Sequence, residues 1–158
     1  MPARAERKGE HLRRLAEIWL PGRDFYVTVC ARNRERILAS RDVVDVLQAE
    51  WDKSLELYGW AVGPYVVMPD HVHFFCRDVS ETTTLSVCVG KRKEWTSKRL
   101  RREHGFAVPV WQSEFFDHLL RSDESYGAKW LYVRMNPVRA GLVAQPEAWA
   151  YQGHVHYG

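Results

Sequence analysis

A chain of 158 residues, 46% of them hydrophobic, is long enough for one domain with a hydrophobic core and short of what two independent domains need. Twenty-three Lys+Arg against 20 Asp+Glu leave a net charge of +3, too small by itself to argue for a polyanionic partner. Cys30, Cys76 and Cys88 lack paired spacing, which argues against a disulfide framework or zinc knuckle, and no run approaches the roughly 20 apolar residues of a membrane span, so a cytoplasmic protein with no membrane partner is expected.

The opening MPARAERKGEHLRRLAEIWLPGR is basic and ends in Pro21-Gly22, so residues 1–24 read as an arm, 25–149 as the core of a single domain and 150–158 as a tail. FYVTVCA, from Phe25, is β-branched and aromatic, as a buried strand requires. From Ser40, a capping residue, Val43, Val46, Leu47, Trp51, Leu55 and Tyr58 recur near a helical period and predict a helix to Tyr58, which Gly59 ends. WAVGPYVVM and HVHFFCR, separated by Pro69-Asp70, predict a hairpin. Thr83 to Glu103 reads as a second helix with Leu85, Val89, Trp95 and Leu100 on its apolar side, broken by Gly105 and Pro109. FFDHLLR, Phe115 to Arg121, suits a fourth strand, and Ser122-Asp123-Glu124 opens a helix reaching Met135. This βαββαβ succession is the α+β ferredoxin-like pattern: a four-stranded antiparallel sheet, helices on one face, and here an additional C-terminal helix carrying Tyr132.

His71 and His73 lie two apart on a predicted strand, so both imidazoles project from one face about 7 Å apart and converge on a metal-sized volume. Val72 and Phe74 point to the core. An H-x-H also arises by chance, as a turn-capping histidine beside a surface one. A second such pair, His154 and His156, has no strand flanks and reads as a solvated tail. On a helix Tyr132 and Asn136 are i and i+4, a phenol and an amide on one face, with Leu131 and Met135 suited to burial beside them. Asn136-Pro137 equally resembles a helix cap followed by proline, with Gly141 closing the helix. Tyr126 lies about 240° around the helix from Tyr132; Tyr26, Tyr58 and Tyr65 fall in apolar contexts and read as core, and Tyr151 and Tyr157 have no framework. Tyr132 is the best-placed nucleophile. The run Lys91 to Arg102 sets Lys91, Arg92, Lys93, Lys98, Arg99, Arg101 and Arg102 against the single acid Glu94, either a solvated helix face or a phosphate-tracking one with Trp95 interleaved. His118 shares a strand face with Phe116 and Leu120 and is a secondary candidate near the histidine pair, as a hydrogen-bonding group ahead of a third ligand.

VVMPDHVHFF, VWQSEFFDHLLR and YVRMNPVRAGLV, in that order, resemble the REP-associated tyrosine transposases of the single-tyrosine HUH (IS200-like) superfamily, over about Phe25 to Trp149. The resemblance implies a divalent ion, Mg²⁺ or Mn²⁺, held by His71 and His73 with Asn136 completing the site, and Tyr132 as nucleophile. It implies cleavage and rejoining of single-stranded DNA beside hairpin-forming palindromic repeats through a 5′-phosphotyrosine, by a nucleoid-associated bacterial protein that is either a monomer or a helix-exchanged homodimer. The basic arm and the basic helix are the expected hairpin-binding surfaces. Two alternatives stand beside this reading: a hairpin-DNA-binding protein on the same scaffold without useful cleavage, and a metallonuclease in which water attacks.

Overall fold

Alternating polar and apolar residues in the strands give the sheet two different faces, and each is covered by different helices. The fold is seen in a computed structural model that describes residues 24–121 and 123–158; the expected basic arm and the helix-starting Ser122 lie outside the described residues. In chain order come β1 (Asp24–Cys30), α1 (Arg41–Asp52), α2 (Ser54–Tyr58), β2 (Trp60–Val67), β3 (His71–Asp78), α3 (Leu85–His104), β4 (Phe116–Leu120), α4 (Asp123–Arg134), α5 (Asn136–Arg139) and β5 (Gln152–His154), with short 3-10 turns at Arg32–Arg34 and Pro146–Ala148. The strands form one antiparallel sheet in the order β4, β1, β3, β2, β5. The expected α+β class and first four strands are present, and a fifth strand is added. No helix among the described residues is long and apolar enough to cross a membrane.

On one face Val27, Val29, Val72, Phe74 and Cys76 pack beneath Val43, Val46, Leu47 and Trp51 of α1 and Cys88, Val89 and Leu100 of α3. Trp51 wedges between Tyr65 and Phe74, with ring centroids 5.1 Å from each. Both helices start at hydroxyl caps, Ser40 accepting from the Val43 N–H and Thr84 from the Val87 N–H, and Gly59 and Gly105 end helices at φ +71° and +72°. The first helix is divided where one was expected: the buried Ser54 hydroxyl lies 2.7 Å from the carbonyl oxygens of both Trp51 and Trp60, tying the helix end to the start of β2. Trp95, expected on the apolar side of α3, is instead 44% exposed.

The opposite face carries Val66, Met68, Phe75 and Leu120 against Val133, Tyr126, Trp130 and Trp149. The helix bearing Tyr132 therefore packs across the sheet from α1 and α3.

The expected solvated tail is built into the structure. β5 pairs with β2, and beyond it the His156 N–H donates to the Val62 carbonyl at 2.7 Å while His156 Nδ1 accepts from the Val62 N–H at 2.8 Å. Tyr157 is buried over Gly63, where a Cβ would lie 2.4 Å from its ring, and its ring sits 4.6 Å from the guanidinium of Arg77, itself paired with the buried Asp24 at 2.8 Å. Gly63-Pro64 falls at a register shift in β2, the place where a strand tolerates proline. The pairing partner of GHVHYG is some 90 residues away by sequence, so its local composition carries no strand signal.

Candidate active site between the sheet and the C-terminal helices

β3 places His71 and His73 on the face covered by α4, where cross-strand register sets Thr28 opposite His73 and Cys30 opposite His71. Their ring centroids are 4.6 Å apart with planes at 76°. His73 is buried, and its Nδ1 lies 2.6 Å from the Tyr26 hydroxyl and 2.8 Å from the Thr28 hydroxyl. His71 Nδ1 lies 2.7 Å from Asp70 Oδ1, and Arg34 Nε donates to the other Asp70 oxygen at 3.0 Å. Each ring is thus oriented through Nδ1, and neither Nε2 has a partner among the described residues. Burial, then the charges of His71, Lys129, Arg139 and Arg34, depress His73 to about 3, so the ring is neutral and offers a lone pair. Burial would raise the Asp70 carboxyl, but hydrogen bonds from His71 and Arg34 hold it below its ordinary value. Two imidazoles fixed through Nδ1 with free Nε2 atoms are a donor set that suits a divalent ion.

On α4, Tyr126, Trp130 and Val133 follow i, i+4, i+7 spacing and bury against the sheet, with Phe75 ring centroids 4.9 Å from Tyr126 and 5.9 Å from Trp130. Tyr126 is thereby packed away from the histidines. Leu131 and Met135, expected to be buried, are 61% and 37% exposed, because the buried stripe runs through Val133 instead. This rotation brings Lys129 and Tyr132, i and i+3, to the flank of the helix beside β1. Lys129 Nζ lies 4.8 Å from the Tyr26 ring centroid and 5.8 Å from that of Tyr132. Tyr132 is 59% exposed, and the Arg139 guanidinium lies 3.9 Å over its ring while donating to its carbonyl at 2.6 Å.

Asn136 opens α5 and its side chain makes no capping bond; its amide oxygen accepts from Arg139 instead. Met135 takes the cap position, and Gly141 closes the turn at φ +73°. Among the described residues, no contact joins Asn136 to either histidine. His118 pairs with Tyr26 in the β1/β4 register, so it shares the histidine-bearing face, but it is exposed and two strands from β3, about 10 Å away. Among the described residues no cluster of three His, Cys, Asp or Glu side chains could hold a metal ion, so an ion on the histidine pair would need further ligands from another group such as Asn136, from water or from substrate.

The basic run divides. Arg92 is buried, bonded to the Glu50 carboxylate at 3.0 Å and carbonyl at 2.7 Å and stacked 4.9 Å from the Tyr58 ring, so it joins α3 to α1 and has no guanidinium to offer DNA. Arg99 pairs with Glu50 and Glu103, and Lys93 donates to the Ser113 carbonyl at 2.9 Å. Lys91 and Lys98 flank Glu94, and Arg101 and Arg102 are exposed near the helix end. The whole helix lies across the sheet from the histidines. The sequence singles out none of Thr28, Asp70, Arg34, Lys129 and Arg139 and reads Tyr26 as core; the Tyr26, Thr28 alternation on β1 is the available signal, hidden because an aromatic in an apolar run reads as core.

Residues 24–128 match the family described as Transposase IS200 like. Over 138 residues the chain is 23% identical to an REP-associated tyrosine transposase of Escherichia coli K12, covering 84% of this chain and 77% of that protein. A Haemophilus influenzae protein provisionally assigned to the same kind is 20% identical over 136 residues, 80% of this chain and 77% of its own length. The fold is similar to that of a REP-associated tyrosine transposase bound to a REP hairpin, with a TM-score of 0.70 at 22% identity, over 86% of this chain and 79% of the other.

Proposed function

The chain belongs to the IS200-like transposase family, enzymes that cut and rejoin DNA through a tyrosine, and on that premise we propose that Tyr132 is its nucleophile and that His71 and His73 hold a divalent metal ion. The observation that carries this reading is the convergence of two oriented imidazoles, each with an open Nε2, and an exposed phenol on one flank of the same sheet face. When bound, Mg²⁺ or Mn²⁺ supplies Lewis-acid polarisation of a non-bridging phosphate oxygen. Asn136 is the candidate further ligand, available once its amide oxygen leaves Arg139.

The chain's own residues account for the remaining requirements. Tyr26, Thr28 and Asp70 fix the histidine rings. Arg139 stacks on Tyr132 and binds its carbonyl, holding the ring against the start of α5. The phenol oxygen forms a bond to phosphorus as the bond to the 3′-oxygen breaks; the phenolic proton leaves to solvent and the departing 3′-oxygen takes up a proton. The product is a 5′-phosphotyrosine, which a second 3′-hydroxyl reverses without ATP. We assign single-stranded DNA with hairpin-forming repeats as substrate, supported by the REP hairpin bound to the structural relative; the exposed Arg101 and Arg102 near the end of α3, on the sheet face away from the histidines, are candidate contacts for the hairpin and not for the cleaved bond.

The test is incubation with 3′-end-labelled, hairpin-bearing single-stranded DNA and Mn²⁺, followed by denaturing electrophoresis. Wild type gives a labelled protein band, Tyr132→Phe none, and His71→Ala a band at least about tenfold weaker. A band persisting in Tyr132→Phe overturns the nucleophile; cleavage without a protein-linked end assigns the attack to water.

A further inference from the structure

α4 covers β2, β3 and the far end of β4, where Leu120 is buried, but it leaves the first three residues of β4 open. Phe116 is 68% exposed there, the most exposed large apolar side chain among the described residues. Its place is not incidental to the site. Phe116 is registered opposite Thr28, and Thr28 opposite His73, so the three stand in one cross-strand row on one face, with Phe116 about 10 Å from His73 across two strand spacings. One step along β1, about 7 Å away, Tyr26 carries Lys129 over its ring, and Lys129 in turn faces Tyr132. Lys129 and Arg139 have no carboxylate partner among the described residues, in contrast to the paired cations Arg92, Lys98 and Arg99 of α3. An unshielded aromatic face on β4 and, over the neighbouring strand β1, an ammonium with no carboxylate partner among the described residues thus border the sheet face that carries the histidines, the ammonium also facing Tyr132.

From this arrangement we propose that Phe116 and Lys129 form a one-nucleotide seat for single-stranded DNA: the base next to the cleaved bond stacks on Phe116 and its phosphate binds the Lys129 ammonium. The inference rests on the assignment of Tyr132 and the histidines as the reaction site. Stacking on Phe116 is tolerant of base identity, since every base offers a π face, so the seat fixes the position of the strand and leaves sequence choice to other contacts. Double-stranded DNA does not fit, because its bases present no free face to an edge strand.

The test uses the full chain carrying Tyr132→Phe, so that bound DNA stays uncut, and a fluorescent twelve-residue oligothymidylate in EDTA. Phe116→Ala weakens binding about tenfold, and Phe116→Trp keeps it. Lys129→Gln weakens binding about threefold and lowers the slope of log affinity against log salt by about 0.7, the loss of one single-strand phosphate contact. The thermal midpoint of Phe116→Ala stays at the parent value because the ring is largely in solvent, which separates lost binding from lost fold. Irradiation of the complex formed with alternate 5-iodouracils cross-links the DNA to Phe116, as read from the peptide ending at Arg121. Phe116→Ala binding as tightly as its parent, or a cross-link confined to Trp95, overturns the seat. A phosphotyrosine band that persists in Tyr132→Phe while the Phe116 and Lys129 losses hold removes the nucleophile assignment and leaves the seat standing.

Discussion

His73 Nδ1 has two hydroxyls within hydrogen-bond range, Tyr26 at 2.6 Å and Thr28 at 2.8 Å, although the ring needs only one. If Nε2 binds metal, the single ring proton sits on Nδ1 and donates to one oxygen; the second hydroxyl is a reserve acceptor on the same side of the ring. Removing either alone leaves the proton satisfied. Tyr26→Phe or Thr28→Val therefore weakens Mn²⁺ binding by less than about threefold, a fraction of one net hydrogen bond. The double variant strands a buried N–H and frees the ring to rotate, and losing a metal ligand's orienting partner costs about 10- to 100-fold in affinity. At 1.4 kcal/mol per factor of ten this is about 1.4 to 2.8 kcal/mol, against an expected sum for the single changes below about 1.3 kcal/mol, and the excess is the coupling between the hydroxyls. Calorimetric titration of the full-length apo proteins with Mn²⁺ reads all four corners of the cycle. Additive losses would refute the reserve argument, and a double variant that binds like wild type would refute the claim that these hydroxyls orient His73 at all.

Other consequences concern the scaffold. Gly63→Ala drives a methyl group into the Tyr157 ring and should cost about 1–3 kcal/mol in urea unfolding, because ring and β2 backbone are both confined. Arg92→Met leaves the buried Glu50 carboxylate only the more exposed Arg99 and Lys53, each at 3.3 Å, and should cost less than the roughly 3–5 kcal/mol of a buried charge left wholly unpaired, while adding Glu50→Leu recovers part of it; equal stabilities for the single and double variants would show that the pair is not coupled. Burial lowers His156 below its ordinary 6.5 in the folded chain, so the unfolded chain binds the proton first and stability falls as pH drops below 6.5 toward the folded value. His156→Asn keeps an acceptor for the Val62 N–H without titrating, and urea midpoints across that window should decline less steeply in it than in wild type.

Periodicity reads which residues of an element share a face, and here it reads them well: Val72 and Phe74 go to the core and His71 and His73 away from it. It does not say whether the face they share is covered, half-covered or open, because that depends on where a distant element lands. Tyr26 looked like core for this reason. Its strand is apolar, and only the placement of α4 over β2 and β3, leaving β1 and the start of β4 at its side, turns the ring into a support for His73. Leu131 and Met135 failed in the opposite sense, since a buried stripe through Tyr126, Trp130 and Val133 fits the same helical spacing and the sheet selected that one. A charge run read along the sequence places Arg92 on the surface, whereas its neighbour in space, Glu50, lies 42 residues away.

The same dependence explains why the histidines and Tyr132 were not equally legible. The strand geometry that pairs His71 with His73 is local, and three residues suffice to state it. The relation of Tyr132 to them is a relation between a helix and a sheet joined through β4, and it requires the buried stripe of α4 to be known first. Once Tyr126, Trp130 and Val133 are fixed against Phe75, Lys129 and Tyr132 must emerge on the side of β1, and the opening between that flank and Phe116 follows from the shortness of the helix contact with β4. Packing that buries three side chains of α4 is thus what turns the other two toward Tyr26 and the flank of β1.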